Sequence, residues 1–161
     1  MRTVATTAAT IAALLLCSLP AMSQLATKKS LTLAAAKQIA AAAEAEAMKN
    51  KWTVVIAIVD DGANLIYLQR IDGTQVGSLD VAQAKAVSAV KFKRPTKVFE
   101  DTLVGGRQAI LKLPGAMPVE GGLPLMIDGV VLGAIGVSGV TSQQDGIIAA
   151  AGLAAFEKMA K

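Results

Sequence analysis

The chain has 161 residues, a formal charge of +4, one cysteine and no histidine, with 53% hydrophobic and 17% charged residues. Its length is that of one compact domain, and the lack of histidine removes serine–histidine triads, histidine-ligated zinc and imidazole general bases. Aromatic residues make up 3% of the chain and the basic excess is mild, which argues against a nucleic-acid partner.

The first segment is a separate object. Met1 and Arg2 open it, residues 11–19 form an apolar run, and Pro20 leads into Ala21-Met22-Ser23. This is the pattern of a secretory signal peptide over residues 1–23 cleaved before Gln24, with one domain over residues 24–161. The run is shorter than the about 20 apolar residues of a membrane span. Cys17 follows Leu15 and Leu16, not the small residues of a lipid-attachment site. A periplasmic or secreted protein is expected, and its mature chain holds no cysteine for a disulfide.

Thr32 closes a start signal for an alanine-rich helix reaching about Asn50, with Leu33, Ile39, Ala40, Ala43, Ala47 and Met48 available for a buried face. Residues 53–59 form a β-branched run expected to be a strand covered on both faces. Asp60-Asp61-Gly62-Ala63-Asn64 is turn chemistry, and residues 65–70 complete a hairpin. Ser78-Leu79-Asp80 can cap a helix to about Phe92, whose apolar side would hold Val81, Ala84, Ala86, Val87 and Val90. After Arg94-Pro95, a short helix from Thr96 to Val104 is ended by Gly105 and Gly106.

Residues 107–120 carry Pro114, Gly115 and Pro118 and read as a loop with at most one short strand. Asp128-Gly129 joins residues 123–127 to residues 130–137 in a second hairpin. Ser142-Gln143-Gln144-Asp145 has the form of a capping box, opening a last helix to about Lys161. Hairpins and helices without βαβ alternation predict a single α+β domain with an antiparallel sheet flanked by helices.

Candidate chemistry is sparse. Glu120-Gly121-Gly122 sets two glycines beside a carboxylate at a strand entrance, fitting either a ligand-binding lip or a tight turn. Arg70 ends the second strand. Lys85 lies on the following helix, where it would serve as an anion anchor or base if buried, or snorkel to solvent, the commoner outcome. Lys91, Lys93, Arg94 and Lys97 form a local basic cluster, able to attract an anion or simply to complement a helix end. Capping suffices to explain Asp60, Asp61 and Asp145. Gly133, Gly136 and Gly139 follow a G-x-x-G-x-x-G spacing, which is not a dinucleotide fingerprint and leaves room for a helix or a neighbouring subunit on the sheet.

Ile58-Val59-Asp60-Asp61-Gly62-Ala63-Asn64-Leu65, Arg70-Ile71-Asp72-Gly73, Ala84-Lys85-Ala86, Arg94-Pro95-Thr96, Gly121-Gly122-Leu123-Pro124, the Gly133 to Gly139 series and Asp145 occur in one order along nearly the whole mature chain. In that order and spacing the sequence resembles the GlcG/HbpS family of small haem-binding or "haem-degrading" domains, also found at the C-terminus of PduO-type corrinoid adenosyltransferases. The resemblance implies a five-stranded antiparallel sheet with helices on both faces, a profilin-like α/β sandwich. It also implies homo-oligomers and, in some members, haem binding or extracellular redox sensing. A histidine axial ligand cannot carry over to this chain, which leaves Tyr67, Met117 and Met126 as iron-ligand candidates.

The first functional expectation is an exported small-ligand-binding protein whose ligand, haem or a related tetrapyrrole, is bound around Arg70, Lys85, Glu120, Gly121 and Gly122. A second is an enzyme acting on a small organic acid or carbonyl compound, with Arg70 and Lys85 holding the anion and Glu120 moving a proton. A third is a regulatory oligomer docking on a membrane sensor. Slim alanine-rich helices and a glycine-rich strand leave apolar surface that one small domain cannot cover, which points to self-association in each case.

Overall fold

A computed structural model describes residues 27–159, so the signal peptide read at residues 1–23 lies outside the described residues. Helix α1 is Leu33–Lys49, β1 is Val55–Asp60, β2 is Leu65–Arg70, α2 is Ser78–Phe92 and α3 is Lys97–Val104. A 3₁₀ turn at Gln108–Lys112 precedes β3, Gly122–Ile127, then β4, Val130–Ser138, and α4, Ser142–Met159.

The strands form one antiparallel sheet in the order β2-β1-β4-β3. The α+β class and single domain are as expected, but the sheet has four strands among the described residues and not five. Residues 107–120 supply no strand: Pro114 and Pro118 have no amide hydrogen to give a ladder, and the segment begins as the 3₁₀ turn. The two hairpins close with backbone that suits their residues. Asp60 takes the Gly62 and Asn64 amides on its carboxylate, each at 2.8 Å, and Asp128-Gly129 has φ of 51° and 77°, as a tight hairpin turn requires.

Helices cover both faces. Val55, Ala57, Val59 and Ala134 meet Ala82, Ala86, Ala89 and Val90 of α2 on one side, while Ile56, Ile58, Ile135 and Val137 meet α1 and α4 on the other. Covered twice, β1 is buried from Val55 to Val59. The buried stripe of α1 is Ala36, Ile39, Ala40, Ala43 and Ala47, whereas Leu33 and Met48, expected inside, are exposed.

Helix α2 is rotated from its expected phase. Ala82, Lys85, Ala86 and Ala89 face the sheet, Ala84 is exposed, and Val81 and Val87 are half-buried. Ser78 does not cap: it lies buried inside the first turn with its hydroxyl 3.3 Å from that of Ser138. The rotation follows from Gly136 of β4, where a Cβ would collide with the Ala82 carbonyl oxygen and stand 2.6 Å from the Ala86 nitrogen. Only the small-residue side of α2 can come that close to the strand.

Gly136→Ala should therefore lower the unfolding free energy by about 1–3 kcal/mol, because neither backbone can retreat without opening the core. In urea denaturation the midpoint should fall with little change in the m-value. An unchanged midpoint would mean that this contact does not set the helix–sheet distance.

Candidate functional site

The most unusual side chain of the fold is Lys85, which is 1% exposed and therefore does not snorkel. From α2 its ammonium group donates to Asp145 Oδ2 at 2.8 Å and to the Val137 carbonyl at 2.9 Å. Asp145 is equally enclosed and takes the Val140 amide on Oδ1 at 3.2 Å. Capping does not account for Asp145. The reciprocal cap of α4 is formed one residue earlier than the expected box, by the Thr141 amide to Gln144 Oε1 at 3.2 Å and the Gln144 amide to Thr141 Oγ1 at 3.4 Å. Asp145 is thus free to turn inward. Burial pushes its carboxyl above the usual range, opposed by the Lys85 ammonium and by the Val140 and Gly139 amides.

Gly121 closes this pair from the third side. It has φ of +125°, and a Cβ there would stand 2.7 Å from the Val137 carbonyl oxygen and 2.9 Å from both Asp145 Cβ and Lys85 Nζ. Gly122 is also buried; its amide donates to Thr96 Oγ1 at 2.9 Å and its carbonyl accepts the Thr96 amide at 3.0 Å. The glycine lip of the sequence is a sealed joint between β3, α2 and the start of α3. Glu120 sits outside it: its amide donates to Glu100, its Oε2 lies 3.9 Å from Lys97 Nζ, and the Ser142 hydroxyl reaches the other Glu100 oxygen at 3.3 Å.

Lys85, Glu120, Gly121 and Gly122 are therefore neighbours, and Arg70 is not. Arg70 pairs in register with Val55, Val55 with Ser138, and the Gly121 carbonyl takes the amide of Val137 next to Ser138. Arg70 lies on one edge strand and Gly121 on the other, so about 14 Å of sheet separates them. With Lys85 enclosed as well, the two cations do not converge on one small anion.

Arg70 instead lines an open cleft of about 630 Å³ with Met48, Lys51, Trp52 and Ile71, and with Glu44 and Asp72 at its rim. Gln69 also lines it and accepts the Tyr67 hydroxyl at 3.1 Å. Met126 lies on the opposite edge strand, β3, and the Met117 amide bonds Ser88 of α2, so neither borders this cleft. The sequence offered Asp145 as a cap, Thr96 as a helix start and Met48 as a core residue, not as members of a site, and Glu100 went unremarked. Asp145 and Lys85 are 60 residues apart, and no local pattern pairs them.

Residues 31–154 match the family described as haem degrading protein HbpS-like. Protein GlcG of Escherichia coli (strain K12) is 40% identical over 112 residues, which is 70% of this chain and 84% of GlcG. Among solved structures, Klebsiella pneumoniae protein ORFY superposes with a TM-score of 0.78 at 34% identity, covering 84% of this chain and 97% of ORFY. A PduOC–haem complex superposes with a TM-score of 0.72 at 27% identity, covering 79% of this chain and 95% of PduOC.

Breaking the internal pair should be costly from either end. Lys85→Met or Asp145→Leu alone should destabilise by about 3–5 kcal/mol, and the double variant by clearly less than the sum. The pH dependence of Lys85→Met supplies the sign. Its Asp145 carboxyl, buried without a cation, is raised further, so the unfolded chain ionises first as pH climbs above the ordinary carboxylate range, and stability falls until the raised value is passed. Denaturant titrations of wild type and Lys85→Met at acid and neutral pH should show the gap narrowing toward acid. A gap independent of pH would remove Asp145 as its cause.

Proposed function

Because the chain belongs to the HbpS-like family, we propose that it is an exported, self-associating protein that binds haem or a related tetrapyrrole. The observation that carries this reading is the match over residues 31–154, joined to a haem complex of the same fold. The cleft beside Arg70 supports it physically. Its volume, about 630 Å³, falls within the range of small-molecule sites, and Trp52, Met48 and Ile71 offer apolar surface to a flat macrocycle. Lys51 and Arg70 are the cations within reach of propionates. Bound haem would supply one-electron chemistry at iron.

The side chains of this chain then divide the work. Lys51 and Arg70 orient the ligand through its acid groups, and Trp52 shields one part of it from water. Iron would take a thioether, a phenol or water. Met48 is 59% exposed within the cleft and Tyr67 is one hydrogen bond away from it, which makes them better placed than Met117 or Met126. Lys85, Gly121 and Gly122 serve the ligand indirectly by holding the sheet and helices together, and Glu120 faces the α3 side.

Export rests on the leader pattern of residues 1–23, and self-association on exposed apolar residues such as Leu65 on the unpaired edge of β2 and Val130. Native mass spectrometry of protein from its own host should find a chain beginning at Gln24, more than one subunit and retained tetrapyrrole. A monomer that keeps Met1 would overturn both export and assembly.

Adding hemin to the purified protein should shift the Soret band and quench Trp52. Arg70→Ala should weaken binding about tenfold, the loss of one charge-assisted contact, whereas Met117→Leu and Met126→Leu should leave it unchanged. Absence of any spectral change at micromolar hemin would reject the tetrapyrrole reading, and a sharp six-coordinate spectrum abolished by Met126→Leu would move the site to β3.

A further inference from the structure

A second cleft, of about 280 Å³, lies at the C-terminal end of α2, with Phe92, Phe99, Ile110 and Leu113 around it and Arg94 and Arg107 contributing positive charge. It shares no residue with the cleft beside Arg70. Phe92 and Phe99 meet edge to face, with ring centroids 5.1 Å apart and planes at 76°. The Arg94 guanidinium carbon stands 5.8 Å from the centre of the Phe99 ring, and Arg94 Nε donates to the Phe92 carbonyl at 3.1 Å.

The backbone holds both arginines in place. Helix α2 ends with Lys93 in the left-handed region at φ of 52°, its amide bonding the Val90 carbonyl and that of Arg94 bonding the Ala89 carbonyl. This double closure turns the chain sharply, and a lysine occupies the place where glycine is usual. On the far side, the turn at Gly105 and Gly106 returns the chain so that the Arg107 amide bonds the Thr102 carbonyl at 3.2 Å.

Charge decides what such a site would take. Lys28, Lys49, Lys85 and Lys97 each pair with a carboxylate, whereas among the described residues neither Arg94 nor Arg107 does. Two guanidinium groups beside an aromatic and aliphatic wall match a ligand with an acid group at one end and a flat apolar body at the other. The volume is near the lower end for small-molecule sites, which admits one or two fused rings and is too small for a porphyrin.

The geometry points to a binding site for a small aromatic carboxylate, with Arg94 and Arg107 on the acid group and Phe92, Ile110 and Leu113 on the ring. It is a site distinct from the tetrapyrrole cleft and does not rest on that reading. The basic cluster seen in the sequence thereby acquires a use for Arg94, while Lys97 is engaged by Asp101 at 2.8 Å.

The test is calorimetric titration of the full chain with 2-naphthoate, its neutral counterpart 2-naphthamide, and inorganic sulfate. The expected result is a Kd of about 1 mM or tighter for naphthoate, with the amide and sulfate each at least about tenfold weaker. Arg107→Gln, whose side chain makes no bond to the rest of the fold among the described residues, should weaken naphthoate about tenfold with no change in melting temperature, and Leu113→Ser should weaken it several-fold. Equal affinity for naphthoate and naphthamide, sulfate binding as tight as naphthoate, or no heat at about 10 mM would each overturn the site. Hemin titration of Arg107→Gln separates the two clefts: unchanged hemin affinity supports two sites, and a parallel loss would show that there is one.

Discussion

A lysine and an aspartate closed off from water, 60 residues apart in the chain, join the two helical layers of this domain around the end of its sheet. Lys85 comes from α2 on one face, and Asp145 from the first turn of α4 on the other. A buried ion pair has no large net stabilising effect of its own, since desolvating both charges offsets their attraction. Its effect here is on register. The ammonium group meets both Asp145 and the Val137 carbonyl, and with α2 in this register along β4 all three polar groups are satisfied, whereas a slip would leave buried charge unpaired. The backbone of β3 then passes so close to the pair that position 121 has no room for a side chain.

Small residues carry the same constraint through the rest of the core. Where α2 crosses the sheet, alanine meets glycine, and the helix axis lies nearer to β4 than any branched side chain would permit. The opposite face is filled by isoleucines and valines of the sheet against the alanines and Ile39 of α1 and against Ile148, Ala149 and Phe156 of α4. The alanine side of α1 and α2 buries little bulk of its own. Larger apolar groups such as Met48 and Leu113 are left at the periphery, where they border the two clefts.

The clefts of this molecule are peripheral, built on a frame whose most strongly polar contact is internal. Haem proteins without histidine depend on the apolar fit of the macrocycle and on cations for its acid groups, with iron ligated by a softer or weaker donor. The cleft beside Trp52 has those ingredients at the end of α1 and β2, and the α2–α3 cleft has a smaller version with arginines in place of a mixed rim. Family membership speaks to the frame more directly than to the ligand, because sites vary on a constant fold.

Most of the architecture was legible in the sequence. Helix and strand periodicities, the Asp60 to Asn64 turn, the Asp128-Gly129 hairpin and the Gly105-Gly106 stop all act through near neighbours, and local chemistry decides them. Four things were decided by tertiary structure. Gly136 selected which side of α2 is buried, so Val81 and Val87, expected inside, are only half-buried, Val90 stays in the core and Lys85 turns inward. The sheet closed with four strands among the described residues, where the resemblance implied five. Thr141 and Gln144 relieved Asp145 of capping, which freed it for a partner that no spacing rule could identify. The sheet also placed Arg70 and Gly121 on opposite edges. The physical reason is that periodicity and capping involve residues within a turn or two, while the face a helix buries, the partner of a buried charge and the far side of a sheet depend on how the whole chain closes.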